Sequence, residues 1–353
     1  MAHHNPIFQK IAFAYFDKHG EFRELAKLVG TNKFFITGAT GVFGGWFIEY
    51  FNWMHPRQLG EPVITILSRH PHSYHFNFMH TVIGDIEDFD VPEGSFEYLL
   101  HLAAPSARDT FHGMSDLAKL EQLYFGTKHV LEVSESLVRK RSLVASSGTI
   151  YGGFPAHYAI PISEDNRTAP PSSEIGIGLA LGKRISEFLC QDAGRSTNCD
   201  LSIARLFSFV GPGLPVDIHY AIGNFVGKAV QGEDVVITGD GKPSRSYMFL
   251  GDMVYWLLTI LIKGKNGDDY NVGSTTKVTM SELARKVQKV VNPDIEISVL
   301  GQSNKSPGNP VNYFYVPNTD KAKSTLGLRE LTSLDDALHI YAEYVRRTNA
   351  LPR

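Results

Sequence analysis

Glycines spaced three residues apart follow a short apolar run, and this pattern limits the fold more than any other feature of the sequence. Residues 34–36 are Phe-Phe-Ile, and Gly38, Gly41 and Gly44 come soon after them. A strand that turns sharply into a helix uses such glycines for a positive φ, for open backbone N–H groups and for close packing. Free N–H groups at a helix N-terminus bind phosphates. The pattern predicts a dinucleotide-binding turn, with a plain tight turn as the alternative.

Strand-like apolar runs alternate with helical stretches over residues 34–205. This alternation predicts crossover units and a parallel sheet with helices on both faces. We expect an α/β fold, with a Rossmann-type doubly wound parallel sheet and a smaller C-terminal substrate-binding lobe. The strand-like runs are 34–37, 63–67, 81–83, 98–102, 142–146 and 200–205.

Changes in composition along the chain predict its division. Residues 1–30 should form an N-terminal helical extension, either a docked helix or a subunit contact. Residues 31–205 are the expected dinucleotide-binding domain, and 246–275 return to it. The substrate lobe is expected at 206–245 and 276–353. Helices are predicted near 252–263, 279–291 and 334–347, and a long functional loop near 152–176.

Charge and cysteine content limit the compartment and the partners. The net charge of −3 comes with scattered lysines and arginines, so no nucleic-acid partner is expected. Two cysteines, Cys190 and Cys199, are too few for a disulfide framework and favour a cytoplasmic protein. No early apolar run is long enough for a membrane span, so no membrane partner is expected. No metal is expected, because the histidines at 70, 72, 75 and 80 fit a polar loop better than a ligand set.

Further motifs, in order and spacing, resemble one enzyme family. They are Gly84-Asp85-Ile86, His101-Leu102-Ala103-Ala104, Ser146 to Gly152, Gly182 to Glu187, Ala204 to Phe207 with Gly211-Pro212, Gly239-Asp240-Gly241 with Arg245, and Asp252. With the glycine turn they resemble the extended short-chain dehydrogenase/reductases of the NAD(P)-dependent nucleotide-sugar epimerase/dehydratase group. The resemblance covers nearly the whole chain after residue 30.

The resemblance implies an NAD(P) cofactor. Asp85 would accept a hydrogen bond from the adenine amino group, with Ile86 packed on the ring, and Lys183 would hold the nicotinamide ribose. The alternative for Asp85 is that it belongs to a surface turn. The alternative for the small residues after His101 is that they only fill the core. The implied cofactor-binding residues are Gly38, Thr40, Gly41, Val42, Phe43, Gly44, Arg69, Asp85, Ile86, Leu102, Ala103, Ala104 and Lys183.

The end of the second strand bears on the choice of dinucleotide. A carboxylate there binds the ribose 2′-hydroxyl of NAD, whereas an arginine favours the 2′-phosphate of NADP. This strand ends Ser68-Arg69-His70, with no acid. We therefore expect NADP to be favoured over NAD, with a solvated surface charge as the alternative role for Arg69.

The catalytic centre implied by the resemblance is incomplete. Family members use a Ser or Thr, a Tyr, and a Lys four residues after the Tyr. Ser147 and Lys183 match, but Leu179 stands where the Tyr is expected, and Leu123 replaces a usual Asn. Leucine carries no proton donor or acceptor, and a missing acid/base group costs about 10²–10⁴ in rate.

Candidate substitutes for the missing tyrosine lie in the loop after Gly152. They are Tyr158, which we favour, His157 and Ser163, with packing as the alternative for the tyrosine. Lys183 could itself act, because burial lowers a lysine pKa. We therefore name Ser147, Lys183, Thr149 and Tyr158 as the catalytic set.

The residues after Ser147 bear on the reaction. Family dehydratases and decarboxylases carry a carboxylate there, whereas this chain has Gly148-Thr149. We therefore expect an epimerase or oxidoreductase with an altered acid/base group, ahead of a dehydratase or decarboxylase. The alternative motivated by Leu179 is a catalytically silent dinucleotide or sugar-nucleotide binder that serves as a partner or regulatory subunit.

The resemblance also implies a nucleotide-diphosphate sugar as substrate and a homodimer. Arg245 would clasp the diphosphate, with a surface ion pair as the alternative. The dimer would form a four-helix bundle from helices near 117–138 and 177–194. The implied substrate-binding residues are Ser106, Ser147, Ser208, Asn224, Phe225, Val236 and Arg245.

Overall fold

The computed structural model of the chain describes residues 5–71, 76–154, 158–196, 200–218, 220–301 and 313–349. Its strands are β1 (Lys33–Thr37), β2 (Val63–Ser68), β3 (Met79–Ile83), β4 (Phe96–His101), β5 (Val138–Ser147), β6 (Asp200–Leu206), β7 (Phe209–Val210), β8 (Val235–Ile237), β9 (Ser244–Arg245), β10 (Met248–Phe249), β11 (Asp269–Val272), β12 (Val278–Thr279), β13 (Ile297–Val299) and β14 (Phe314–Tyr315). Its helices are α1 (Pro6–Lys18), α2 (Glu21–Val29), α3 (Val42–Met54), α4 (Ala107–Phe111), α5 (Asp116–Leu137), α6 (Gly178–Ser196), α7 (Ala221–Gln231), α8 (Leu250–Lys263), α9 (Met280–Val291), α10 (Asp320–Leu326) and α11 (Leu334–Asn349), with short 3-10 turns at His55–Arg57 and Gly148–Tyr151.

The central sheet has seven parallel strands in the order β3-β2-β1-β4-β5-β6-β11. Strand order reverses between β1 and β4, and in such sheets ligands bind in the crevice beyond the carboxyl ends of the strands. This topology confirms the expected Rossmann-type α/β fold. The six predicted strand runs overlap β1 to β6, whereas β11 was not among them.

Strand β1 forms because its apolar residues are buried on both faces of the sheet. Phe34 packs on Phe51 of α3 at a ring-centroid distance of 5.2 Å, whereas Phe35 belongs to a cluster with Val130 and Val133 of α5. Successive strand residues point to opposite faces. Helices α3 and α5 therefore cover opposite sides of β1, as the continuous apolar run predicts.

The N-terminal helices are part of the main hydrophobic core. Helix α1 buries Phe8, Ala12, Tyr15 and Phe16 in that core. The Tyr15 hydroxyl also donates a hydrogen bond to the buried carboxylate of Asp252. Burial raises the pKa of Asp252 to about 6. Residues 6–29 are thus docked on the domain, as the first of the two expected roles for this extension describes.

Three small sheets lie outside the central one. In the first, β9 pairs with β12 and β14; in the second, β8 pairs with β13; in the third, β7 pairs with β10. Helices α7, α9 and α11 pack together next to them. The helices predicted near 252–263, 279–291 and 334–347 correspond to α8, α9 and α11. Because β14 pairs with β9, Phe314 and Tyr315 lie beside Arg245 although they are about 70 residues away in sequence.

Candidate active site

The glycine turn has the predicted strained and crowded geometry. Gly38 has a φ of +71°, and a Cβ there would lie 2.6 Å from the backbone nitrogen of Ala103. A Cβ on Gly44 would lie 2.3 Å from the Cα of Ala39. Gly38 therefore allows the close approach of β1 to the end of β4, and Gly44 allows α3 to pack on the turn. Both positions require glycine.

The N-terminus of α3 fits a pyrophosphate. Gly41 is its N-cap and no side chain caps the first-turn N–H groups. Such uncapped N–H groups and the positive end of the helix dipole favour an anion. The Phe43 ring packs on Phe209 at 5.2 Å, so the part of Phe43 suited to a phosphate is its backbone. Thr40 and Val42 flank the same turn.

The adenine-side residues come together at the carboxyl ends of β2, β3 and β4. Ile86 is buried and lines a small cavity of about 20 Å³ together with Ala103 and Ala104. Asp85 is partly exposed beside it, and its carboxylate accepts a hydrogen bond from the backbone of Glu87 at 3.3 Å. Leu102 is buried in the main core. Arg69 is exposed at the end of β2.

Lys183 of α6 is buried beside the end of β5. Its ammonium donates to the backbone carbonyl of Ala145 at 2.5 Å, two residues before Ser147 on β5. Burial lowers the pKa of Lys183 to about 8.

His101 is a functional candidate that sequence reasoning used only as part of a motif. Its Nδ1 lies 2.6 Å from the hydroxyl oxygen of Thr37. Burial, and then the charge of Lys183, lower the pKa of His101 to about 3. The imidazole is therefore neutral and acts as a fixed hydrogen-bonding partner at the end of β4. A polar residue inside an apolar strand was the available signal.

Ser147 ends β5 at the centre of the crevice and is held by two neighbours. Its Oγ accepts hydrogen bonds from the backbone N–H of Thr149 at 3.2 Å and from the Thr149 hydroxyl at 3.0 Å. The hydroxyl of Tyr315, on β14, reaches the same strand end, 2.7 Å from where a Cβ on Gly148 would lie. Burial raises the pKa of Tyr315 to about 12, and Ser147 acts to lower it. The tyrosine that the structure brings to Ser147 was not among the sequence-based candidates.

The loop candidates for the missing acid/base group lie in other surroundings. The ring of Tyr158 packs on Phe154 at 4.4 Å and on Phe314 at 5.8 Å. Its hydroxyl accepts a hydrogen bond from Asn166 at 3.4 Å. These contacts favour the packing alternative for Tyr158. Ser163 lies in a turn, where its carbonyl accepts from the Asn166 N–H, and His157 lies outside the described residues.

The leucines at the expected polar positions sit in packed helices. Leu179 is in the first turn of α6 and is half-buried. Leu123 of α5 is buried, and a Cβ on Gly182 would lie 2.6 Å from its Cδ1. Helix α6 thus packs closely on Leu123. Neither position supplies a polar side chain to the crevice.

The substrate-side residues divide into those near the crevice and those held elsewhere. Arg245 lies on β9 with its guanidinium 5.6 Å from the ring centre of Tyr315, and burial lowers the pKa of Arg245. Asn224 of α7 lines a cleft of about 270 Å³, together with Phe111 and Asp217. Val236 is exposed on β8, and Ser208 is half-buried after β6.

Two residues expected on the substrate side are held by contacts within the protein. Phe225 is buried in the main core, because it lies on the inward face of α7. The hydroxyl of Ser106 is occupied in capping α4, where it donates to Asp109 at 2.7 Å and accepts from the Asp109 N–H. Helical periodicity around Phe225 and the Ser-x-x-Asp spacing were the signals for these roles.

No group of three or more His, Cys, Asp or Glu side chains in the described ranges could hold a metal ion. In the same ranges, no helix is both long and apolar enough to cross a bilayer.

Comparison with known proteins identifies the family. A model of the NAD dependent epimerase/dehydratase family matches residues 34–273. The chain belongs to this family. The matched region runs from the glycine turn through the end of β11, so it includes every strand of the central sheet.

Similar proteins include UDP-glucuronic acid decarboxylases by sequence and nucleotide-sugar enzymes by fold. UDP-glucuronic acid decarboxylase 3 of Arabidopsis thaliana is 29% identical over 257 residues, or 72% of this chain and 71% of that protein. The solved UDP-glucose 4-epimerase of Thermotoga maritima superposes with a TM-score of 0.74 at 21% identity, over 90% of this chain and 99% of that one. MoeE5, solved with UDP-glucuronic acid and NAD, gives a TM-score of 0.73 at 21% identity, over 90% and 99%. These structural likenesses confirm the fold.

Proposed function

We propose that the chain is an NAD(P)-dependent enzyme that modifies the sugar of a UDP-sugar by oxidation and reduction at one carbon. The observation that carries this proposal is the grouping of Ser147, Lys183 and the α3 N-terminus at one edge of the sheet. Lys183 binds the carbonyl two residues before Ser147, so one strand end positions both. The UDP part of the proposal is supported by the decarboxylase relatives.

We assign to the residues of the site the roles that the family resemblance implies. A bound nicotinamide dinucleotide supplies the means to accept and return a hydride. Ser147, held by Thr149, orients the sugar hydroxyl that reacts. The cationic form of Lys183 binds the ribose hydroxyls and adds positive charge below the site. Arg245 pairs with the diphosphate through charge-assisted hydrogen bonds.

Epimerisation is the reaction that the residues after Ser147 favour. Gly148 supplies no carboxylate to remove a proton from the sugar ring, and epimerisation needs none. Decarboxylation is the second candidate, and the named relatives support it. Oxidation next to a carbon that bears a carboxylate gives a β-keto acid, which loses carbon dioxide to leave an enolate. The enolate takes a proton from water at the same ring carbon before the keto group is reduced. The substrate's own carboxylate would then decide between the two outcomes.

The test is to incubate the protein with NAD⁺ or NADP⁺ and either UDP-glucose or UDP-glucuronic acid. Products are separated by ion-pairing chromatography and identified by NMR. The proposal expects an epimer from at least one substrate, and the second candidate expects a UDP-pentose from UDP-glucuronic acid. Absence of any product from both sugars, with both dinucleotides, would favour the catalytically silent binder that Leu179 motivates.

NADP is our proposed preference over NAD. Arg69 is exposed at the carboxyl end of β2 and no acid precedes it on that strand end. An exposed guanidinium there can pair with a 2′-phosphate. The solved neighbours that name a cofactor name NAD, so a direct comparison of the two dinucleotides is needed.

A homodimer through α5 and α6 is also part of the proposal. These helices pack on each other and leave large apolar side chains on the surface. Leu117 is 63% exposed, Phe125 48% and Phe188 69%. Phe188→Glu should therefore give a monomer by light scattering, whereas Leu300→Glu, at an exposed leucine after β13, should leave a dimer. A monomeric wild type would contradict this part of the proposal.

The cytoplasm is the proposed compartment. Cys190 is a buried free thiol, and free thiols are typical of reducing compartments. Fractionation of cells that express the chain would test this, and recovery with secreted proteins would contradict it.

A further inference from the structure

The hydrogen bonds around Ser147 have a direction that leads to Tyr315. The Ser147 Oγ accepts from both the N–H and the hydroxyl of Thr149. A serine hydroxyl has two acceptor positions and one proton. Both acceptor positions are used, so the Ser147 proton is available to the Tyr315 oxygen, which lies beside the next residue, Gly148. The Tyr315 proton is then left to be donated to a ligand in the crevice.

The backbone and the neighbouring rings fix Tyr315 in this place. Strand β14 pairs with β9 so that Tyr315 lies directly opposite Arg245. The Arg245 guanidinium is 5.6 Å from the Tyr315 ring centre, and the Phe207 ring is 4.7 Å away on centroid distance. Tyr315 is only 8% exposed. Arg245 therefore lies against the Tyr315 ring, while the Tyr315 hydroxyl lies beside residue 148, next to Ser147.

Gly148 leaves the space that this hydroxyl occupies. A Cβ at residue 148 would lie 2.7 Å from the Tyr315 oxygen, and 2.8 Å from the Cζ of Phe207. Any other residue would push the tyrosine away from Ser147. The missing side chain at 148 and the position of the Tyr315 hydroxyl are thus two parts of one arrangement.

We propose that the Tyr315 hydroxyl exchanges the proton with the sugar oxygen at Ser147, in place of the tyrosine that Leu179 replaces. This inference rests on the proposed function. When a keto sugar is reduced, its carbonyl carbon takes a hydride from the reduced dinucleotide and its oxygen takes the Tyr315 proton. The phenolate is held by the Ser147 proton and the Arg245 charge until it takes a proton from water. Oxidation of the hydroxyl is the reverse.

Electrostatics agree with a proton donor at this position. Burial raises the pKa of Tyr315 to about 12, while Ser147 and Arg245 act in the opposite direction. The hydroxyl therefore stays protonated at neutral pH and has nearby groups that stabilise its anion. Tyr220, at the start of α7, is close enough to raise the pKa slightly.

The experiment compares Tyr315→Phe with the wild type and with Tyr98→Phe, all in the presence of NAD⁺ or NADP⁺. Tyr98 is a buried strand tyrosine at the opposite, amino end of β4 and serves as the matched control. Calorimetry measures the dissociation constants of UDP and of UDP-glucose. Tyr315→Phe keeps the ring and its packing, so it should fold, which circular dichroism and the melting temperature verify.

We expect Tyr315→Phe to raise the dissociation constant of UDP-glucose about 3–10-fold, because one hydrogen bond is lost. The dissociation constant of UDP should change less than about twofold. Tyr98→Phe should change neither. Unaltered UDP-glucose affinity in Tyr315→Phe would overturn the role of Tyr315 and leave the proposed function intact. If the wild type binds neither UDP nor UDP-glucose, the proposed function fails, and the role of Tyr315 fails with it.

Turnover gives a second readout. The kcat of Tyr315→Phe should fall by about 10²–10⁴, with KM changed only a few-fold. Leu179→Tyr added to Tyr315→Phe should recover part of that loss, because it restores a phenol at the position where the family has one. Wild-type kcat in Tyr315→Phe would overturn the proposal.

Discussion

Replacing Gly148 by alanine tests the arrangement around Ser147 through stability as well as binding. The added methyl group would lie 2.7 Å from the Tyr315 oxygen and 2.8 Å from a ring carbon of Phe207, both closer than van der Waals contact. Both rings are buried, so neither can move without disturbing its neighbours. Overpacking of this kind costs about 1–3 kcal/mol. We expect Gly148→Ala to lower the free energy of unfolding by that amount.

Urea denaturation followed by circular dichroism measures the effect, with Gly194→Ala as the control. A Cβ on Gly194, in α6, would meet only the side-chain oxygen of Asn266 at 3.9 Å. The control should be neutral or more stable by at most about 1 kcal/mol, the helix preference of alanine over glycine. Gly148→Ala should also weaken UDP-glucose binding, because the Tyr315 hydroxyl is displaced from Ser147.

A double mutant shows whether Tyr315 is the residue that the methyl group meets. Phenylalanine at 315 lacks the oxygen, so the closest contact of Gly148→Ala disappears. The two substitutions together should therefore cost less than the sum of their separate costs, by about 0.5–3 kcal/mol. Strict additivity, or a Gly148→Ala protein as stable as the wild type, would refute the placement of this hydroxyl.

Three further predictions concern other parts of the site. The pKa of Lys183 is about 8 in the folded protein and 10.5 in the unfolded chain. Between these two pH values the folded state binds fewer protons than the unfolded state, so the contribution of Lys183 to the free energy of unfolding rises with pH. The free energy of unfolding should rise less between pH 7.5 and pH 9.5 in Lys183→Met than in the wild type, by about 1–2 kcal/mol. An equal rise in both proteins would contradict the burial of this charge. Arg69→Ala should weaken the binding of NADP⁺ but not of NAD⁺, as measured by calorimetry. An equal loss of affinity for both would show that Arg69 has no role in selecting the dinucleotide. If the wild type is active, the Leu179→Tyr variant should be active as well. If the wild type is inert and the variant gains epimerase activity, the result would support the catalytically silent binder instead.

Local sequence patterns predicted the parts of the site that adjacent residues build. The glycine turn needs only β1, the turn and α3, so its role could be read from spacing, and Ser147 and Lys183 follow from motifs on β5 and α6. The parallel order of β1 to β6 follows from alternating elements. The strand β11 was missed because its four residues carry two polar side chains and no long apolar run.

Residues brought in from distant parts of the chain could not be predicted in the same way. Tyr315 reaches Ser147 only because β14 pairs with β9, a contact of two short strands far apart in sequence. Tyr158 was preferred because a loop after Gly152 could bring its phenol over the sugar, but Phe154 and Phe314 pack against its ring. The burial of Phe225 could have been predicted from helical spacing, because Ile222, Val226 and Ala229 lie on the same buried face of α7.

The most direct test of the central claim is native mass spectrometry of the wild-type protein after incubation with NAD⁺, NADP⁺ and UDP-glucose. Dinucleotide retained from expression and dinucleotide added later are both detected as a mass increment. The account predicts one dinucleotide per chain, with NADP favoured, and a further increment of one UDP-sugar. A protein that carries neither dinucleotide at millimolar concentrations would contradict it.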